Sequence, residues 1–248
     1  MTDSRVVTAG ARAGYAVNGV LHLLIAVLAL QIAFGGRGAK ADPSGAMGLA
    51  ASTPVGLVVL IAIVVGFGLL AVWQIGEVIR GPRTRDRLKA AAKAIVYLAL
   101  AFSAVSFLMG RGNNGQRQAS DLTATLMKMP LGPVLVVLAG LVVAGVGVYH
   151  IIKGWTERFR RDLASSPSRF TMVAGKVGYI ARGVAFIAVG IGIVVAGVTH
   201  HPDASRGLDG ALHDMVALPW GQALVALVAL GFAAYGFYSF SRAHRART

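Results

Sequence analysis

Long apolar runs separated by short polar stretches dominate the chain. They fall near 15–35, 56–78, 94–110, 132–153, 179–198 and 220–240. A helix needs ~20 residues to cross a hydrocarbon layer of ~30 Å, and only the third run falls clearly short. None alternates at period two as a barrel strand would, so six membrane-spanning helices are predicted. The pattern also repeats. Pro54-Val55-Gly56 leads to Trp73, Gln74 and Glu77, while Pro130-Leu131-Gly132 leads to Tyr149, His150 and Lys153. Pro219-Trp220-Gly221 leads to Tyr238, Ser239 and Arg242 at the same offsets. Constant spacing of this kind marks a duplicated unit.

The first spans of the copies match less strongly. Aligning Asn18, Lys93 and Arg182 brings Gly19, Ala94 and Gly183 together, and then His22, Tyr97 and Phe186. Gly14-Tyr15 recurs as Gly178-Tyr179 but is missing from the middle copy, which is the most diverged. The predicted fold is an all-α membrane protein of six transmembrane helices, arranged as three tandem helical hairpins. It forms a single membrane domain over 1–248, with repeats at 10–82, 86–163 and 174–248. Two spans per repeat make every copy enter the membrane in the same sense, which gives pseudo-threefold symmetry about the membrane normal.

Within each hairpin, 44–52, 120–129 and 207–218 are predicted as short helices on the membrane surface. In the last, Leu208, Leu212, Met215 and Val216 share a face, with Asp214 opposite and Asp209 at the flank. The proline that follows is placed in the first turn of the next span, where its missing N–H costs nothing. Gly81-Pro82 and Ser165-Ser166-Pro167-Ser168 read as linkers between hairpins. Gly66 and Gly68, Gly140, Gly145 and Gly147, Gly178 and Gly183, Gly190 and Gly192, and Gly231 and Gly236 are expected to give narrow faces for close helix packing in lipid.

Only 14% of residues are charged, against about 25% in soluble domains, so little chain remains for a soluble unit. The net charge of +14 raises a nucleic-acid reading, but its distribution argues for lipid. Arg80, Arg83, Arg85, Arg87, Lys89 and Lys93 lie on one face, as do the basic residues of 153–182 and Arg242, Arg245 and Arg247. The other face holds only Arg37, Lys40, Arg111, Arg117, Lys128 and Arg206. The positive-inside rule makes both termini cytoplasmic and the location a plasma membrane. The expected partner is then the bilayer itself, through anionic inner-leaflet lipids, with no nucleic acid. No cysteine is present, which excludes disulfides and thiolate sites. The first apolar run is longer than a signal h-region of ~7–15 residues and is read as a retained span.

Polar residues concentrate at the basic ends of the spans. Asn18, Glu77, Lys93, Lys153, Arg182 and Arg242 occupy matched positions and are candidates for a polar ring with one carboxylate among cations. Deeper lie His22, Gln74 and His150, where an imidazole can relay protons or join helices by hydrogen bonds. Tyr15, Trp73, Tyr149, Tyr179, Tyr235 and Tyr238 fall where an aromatic belt or interhelical packing belongs. His200, His201 and His213, with Asp203, Asp209 and Asp214, fit no metal-ligand spacing, so neither a metal nor a cofactor is assigned. No zincin, Walker or nucleophile-elbow motif occurs, so no catalytic residue is assigned. Gly110-Arg111-Gly112-Asn113-Asn114-Gly115 follows a span and does not open a phosphate-binding helix.

Three two-helix units, the Pro-x-Gly corner and the basic face together resemble an uncharacterised family of bacterial, largely actinobacterial, integral membrane proteins. That family is built from a tandemly repeated domain of unknown function. The resemblance implies a bacterial inner membrane and supplies no activity. The function expected from the residues is a non-catalytic scaffold or accessory subunit of a larger inner-membrane assembly. The alternative is a small channel or transporter for an ion or small solute along the pseudo-threefold axis.

Overall fold

In a computed structural model of the chain, residues 2–36, 38–112, 114–163 and 167–245 are described. Arg37, Asn113, Ser165, Ser166 and Arg247, named above, lie outside them. The helices in chain order are α1 (Thr2–Ala33), α2 (Pro43–Ala51), α3 (Pro54–Arg80), α4 (Thr84–Leu108), α5 (Gly115–Met127), α6 (Gly132–Trp155), α7 (Arg169–Thr199), α8 (Gly207–Val216) and α9 (Gly221–Arg245). Six of them, α1, α3, α4, α6, α7 and α9, contain a stretch long and apolar enough to cross a membrane. The short third run proves to be the apolar part of a longer helix, because α4 begins ten residues earlier among Arg85, Arg87 and Lys89. The three short helices follow the predicted connections.

Local chemistry starts these helices. The side chains of Asp42, Thr53 and Ser168 accept hydrogen bonds from the N–H groups of Gly45, Gly56 and Thr171. Asn114 does the same for Gln116 and Arg117. Each satisfies a donor that the first helical turn leaves free.

The Pro-x-Gly corner has a steric cause. A side chain on Gly56, Gly132 or Gly221 would run into the last carbonyl groups of the preceding short helix. Only glycine lets the span fold back over that helix so closely. The expected placement of the proline holds in the first repeat, where Pro54 opens α3. In the other two repeats Pro130 and Pro219 stand ahead of the helix. Leu131 and Trp220 then take left-handed backbone conformations, at φ 59° and 62°.

Tight packing forms mainly across repeat boundaries. The most extensive contacts join α6 to α7, α1 to α9, and α3 to α4. Small residues line these seams, every seven positions on α6 and α9. On the second spans they are Ala71 alone on α3, flanked at seven residues by Val64 and Val78, then Gly140, Gly147 and Gly154, then Ala229, Gly236 and Ala243. On the first spans they are Gly19, Ala26 and Ala33, then Ala94 and Ala101, then Gly183, Gly190 and Gly197. The α6–α7 seam is the closest. A Cβ on Gly147 would sit 2.6 Å from the Gly183 carbonyl oxygen, and one on Gly190 would sit 2.7 Å from that of Gly140. With no hydrophobic drive between helices in lipid, such backbone proximity supplies the dispersion that holds them.

Within repeats the picture is uneven. The first and third repeats close, through α1–α3 and α7–α9, but α4 and α6 of the middle repeat make no comparable contact among the described residues. The cyclic order α1, α3, α4, α6, α7, α9 is therefore open at one place. Glycine again explains the difference. A Cβ on Gly14 would meet Leu70 and stand 2.9 Å from the Gly66 carbonyl, and one on Gly178 would press on the Tyr235 backbone at 2.6 Å. The middle copy has Lys89 where these glycines stand, and Val142 where Gly66 and Gly231 stand. Both are exposed.

Candidate functional site

At the basic end a cluster of aromatic rings and cations fills the space among α1, α6, α7 and α9. The connection after α6 forms a 3-10 turn, Arg158–Asp162, that folds back over this end. It inserts Phe159, fully buried, against Tyr179 and Tyr238 at centroid distances of 5.5 and 5.3 Å. The Tyr238 hydroxyl donates to the Phe159 carbonyl at 3.3 Å. Asp162 accepts from Lys153 Nζ at 2.8 Å and from the Tyr179 hydroxyl at 3.4 Å. Arg242 lies over Tyr15 at 4.2 Å, Arg182 over Tyr235 at 4.3 Å, and Lys153 over Tyr179 at 4.8 Å. Away from water such cation–ring contacts are worth up to ~2 kcal/mol each. They let charges stand near the ends of apolar helices.

The predicted polar ring is only partly gathered. Lys153, Arg182 and Arg242 belong to the cluster. Asn18 borders it, donating through Nδ2 to Ser239 Oγ at 3.2 Å. Lys93, on α4, is exposed yet interacts electrostatically with Arg242, Lys153 and Asp162. Glu77 is different. It is exposed on α3, and among the described residues no ion pair reaches it. The carboxylate among the cations is Asp162, supplied by the connection between repeats and absent from the sequence-derived ring. The signal available was Phe159, a lone aromatic between Arg158 and Arg160, which is out of place in a solvated basic tract.

His22 and His150 stand in like settings. Each donates from Nδ1 to the carbonyl four residues back, Asn18 and Val146, at 2.8 Å. A carbonyl only accepts, so Nδ1 carries the hydrogen and Nε2 is left as an acceptor. The two do not touch. A line of rings connects them, from His150 to Tyr179 at 5.7 Å, Tyr179 to Tyr235 at 5.4 Å, and Tyr235 to His22 at 4.7 Å. Gln74 is buried on α3, a helix outside this line. Of the aromatic residues assigned to a belt or to packing, Tyr15, Tyr179, Tyr235 and Tyr238 are buried, and Tyr149 is exposed.

At the other end the three connections meet around Asp209. This residue is buried, not at the flank of an exposed acidic face as its helical position suggested. Its Oδ1 accepts from the Ala41 N–H at 2.8 Å, and its Oδ2 accepts from Gln116 Nε2 at 2.6 Å. Nearby Ser44 donates to Asp42 at 2.6 Å and accepts from the Gly115 N–H at 3.0 Å, while Ser120 donates to the Ser205 carbonyl at 3.2 Å. All three repeats are thus tied by one polar hub. Burial raises the Asp209 carboxyl above its ordinary range, against the lowering effect of the Ala41 N–H and His213. His200, His201 and His213 are exposed, and among the described residues no group of three metal-ligating side chains forms. Arg206 and Asp214 pair at the rim of a cavity of about 530 Å³, with an apolar wall from Ala188 to Val195.

Residues 13–81, 88–157 and 177–246 each match the family described as Domain of Unknown Function (DUF1206). A relative from Bacillus subtilis (strain 168), the uncharacterized protein YxxB, is 29% identical over 244 residues, spanning 93% of this chain and 88% of that one. No solved structure matches the chain.

Proposed function

The chain belongs to the DUF1206 family, with three tandem copies of its domain, a membership that supplies no activity; we propose that it is a non-catalytic membrane scaffold or accessory subunit of a larger membrane assembly. One observation carries this reading. Polar groups collect at the two ends, and the section between them is apolar. Leu21, Ile25, Leu28, Leu60, Ile63, Phe67, Val225, Val228 and Phe232 are all buried there. A hydrated pathway needs polar groups or water along its length, and this section offers packing instead. The basic face is proposed to lie on the cytoplasmic side, against anionic headgroups.

The test is to recover the full chain in mild detergent and identify what accompanies it by mass spectrometry. A stoichiometric membrane-protein partner supports the scaffold. Recovery alone, together with solute flux in liposomes, contradicts it. The cation cluster favours the second reading, a small anion or solute pathway along the pseudo-threefold axis, and flux abolished by Arg182→Gln would establish that reading in its place.

A further inference from the structure

The opening between α4 and α6 leads to an end of the bundle where charge is not balanced. Lys93, Lys153 and Arg242 interact there with one carboxylate, Asp162, which already accepts from Lys153, and Arg182 stands against the same ring cluster. Arg182 has aromatic faces for neighbours, Phe186 and Tyr235. Arg242 Nε is buried without a hydrogen-bond acceptor among the described residues. Removing a cation from water without an anion is costly. Arg182 and Arg242 are half-buried there, and the α4 side of the opening adds a third, exposed cation, Lys93.

The flanks of the opening are apolar. Val96 on α4, and Val142, Val146 and Tyr149 on α6, are exposed. α4 and α6 are the least buried of the six spans. An occupant that suits both parts carries a negative headgroup and a long hydrocarbon tail.

We propose that the α4–α6 opening is a binding site for one anionic phospholipid, its phosphate held by Lys93, Arg182 and Arg242 and its acyl chains lying between the two helices. The bilayer delivers such a molecule sideways, without passage through water. The site differs from adsorption of the basic connectors on a charged surface, because it is a single position inside the helix ring. The proposal does not depend on the scaffold reading.

The test is native mass spectrometry of the full chain in detergent, titrated with equal amounts of phosphatidylglycerol and phosphatidylcholine. One phosphatidylglycerol should be retained in preference to phosphatidylcholine. Lys93→Gln, an exposed position that does not threaten folding, should lower retention about fivefold, the worth of one cation near an anionic headgroup. Arg182→Gln should act in the same direction, while Arg83→Gln on the connector ahead of α4 should leave retention unchanged. Equal retention of the two lipids overturns the proposal, as does equal loss in the connector variant. Displacement of the lipid by millimolar inorganic phosphate also overturns it, since that outcome makes the site one for a free anion. So does a co-purifying acidic membrane peptide that occupies the site in place of the lipid.

Discussion

Helix α6 has two neighbours in the cyclic order and meets them in opposite ways. Toward α7 its glycines recur every seven residues and the two backbones touch. Toward α4 it presents Val142 and Val146, and the helices stand apart. The same contrast distinguishes two kinds of seam in the whole molecule. Seams between repeats are lined by small residues in all three places. Seams within repeats close only where glycines permit it, in the first and third copies. The structural unit is therefore not the duplicated hairpin. It is the antiparallel pair made by the second span of one repeat and the first span of the next, with the hairpin partner held more loosely. Duplication set the order of the helices, and the size of a few side chains decided which neighbours meet.

The largest effect is expected at the closed seam. Gly147→Leu places a side chain against the Gly183 carbonyl and should lower stability by about 3 kcal/mol or more, read as thermal unfolding in mild detergent by tryptophan fluorescence. Gly145→Leu, on the same helix but facing open space, should leave the transition in place. A similar shift in both variants would mean that glycine in this helix matters for reasons other than contact.

Next comes the within-repeat seam. Gly178→Leu collides with the Tyr235 backbone and should cost about 1–3 kcal/mol. Lys89→Leu at the matched position in the open copy should be neutral or slightly favourable by the same measurement. Equal losses would show that α4 and α6 pack after all.

The far-end hub holds the middle repeat to the others despite the open seam. Asp209→Ala leaves the Ala41 N–H and the Gln116 amide without their acceptor and should cost about 1–3 kcal/mol. The carboxyl also makes a pH prediction. Its native affinity for a proton is raised by burial, so the folded chain binds the proton more tightly than the unfolded one. Stability should therefore fall as pH rises from the ordinary value of 3.8 through the raised native one, then level off. Asp209→Asn should remove that slope in unfolding curves collected across pH, and an unchanged slope would assign it to another group. The smallest effect is expected at Glu77→Gln, within about 0.5 kcal/mol, because the side chain is exposed and unpaired among the described residues.

Much of this arrangement was legible in the sequence, because hydrophobic length and a repeated corner need no tertiary information. The spans, the three surface helices and the oddness of the middle copy all follow from them. Even the missing Gly14-Tyr15 equivalent pointed at the place where the ring opens. The glycine heptads were equally visible at 140, 147 and 154 and at 183, 190 and 197, but a period of seven becomes meaningful only with a partner helix in view. Asp162 and Asp209 were harder. Each is an acidic residue in a polar connection, and its position inside a cluster depends on how that connection folds back. Glu77 illustrates the converse, since a matched offset in the repeat does not ensure a matched environment when neighbouring copies differ.

The open seam can be measured directly in a chain that has no native cysteine. Ala92→Cys with Val142→Cys is the middle-repeat counterpart of Val17→Cys with Gly66→Cys, where a Cβ on Gly66 would lie 3.1 Å from that of Val17. In proteoliposomes under mild oxidation, the 17/66 pair should form a disulfide, and the 92/142 pair should remain as two free thiols that react with maleimide. Disulfide formation by 92/142 at the rate of 17/66 would contradict the open seam.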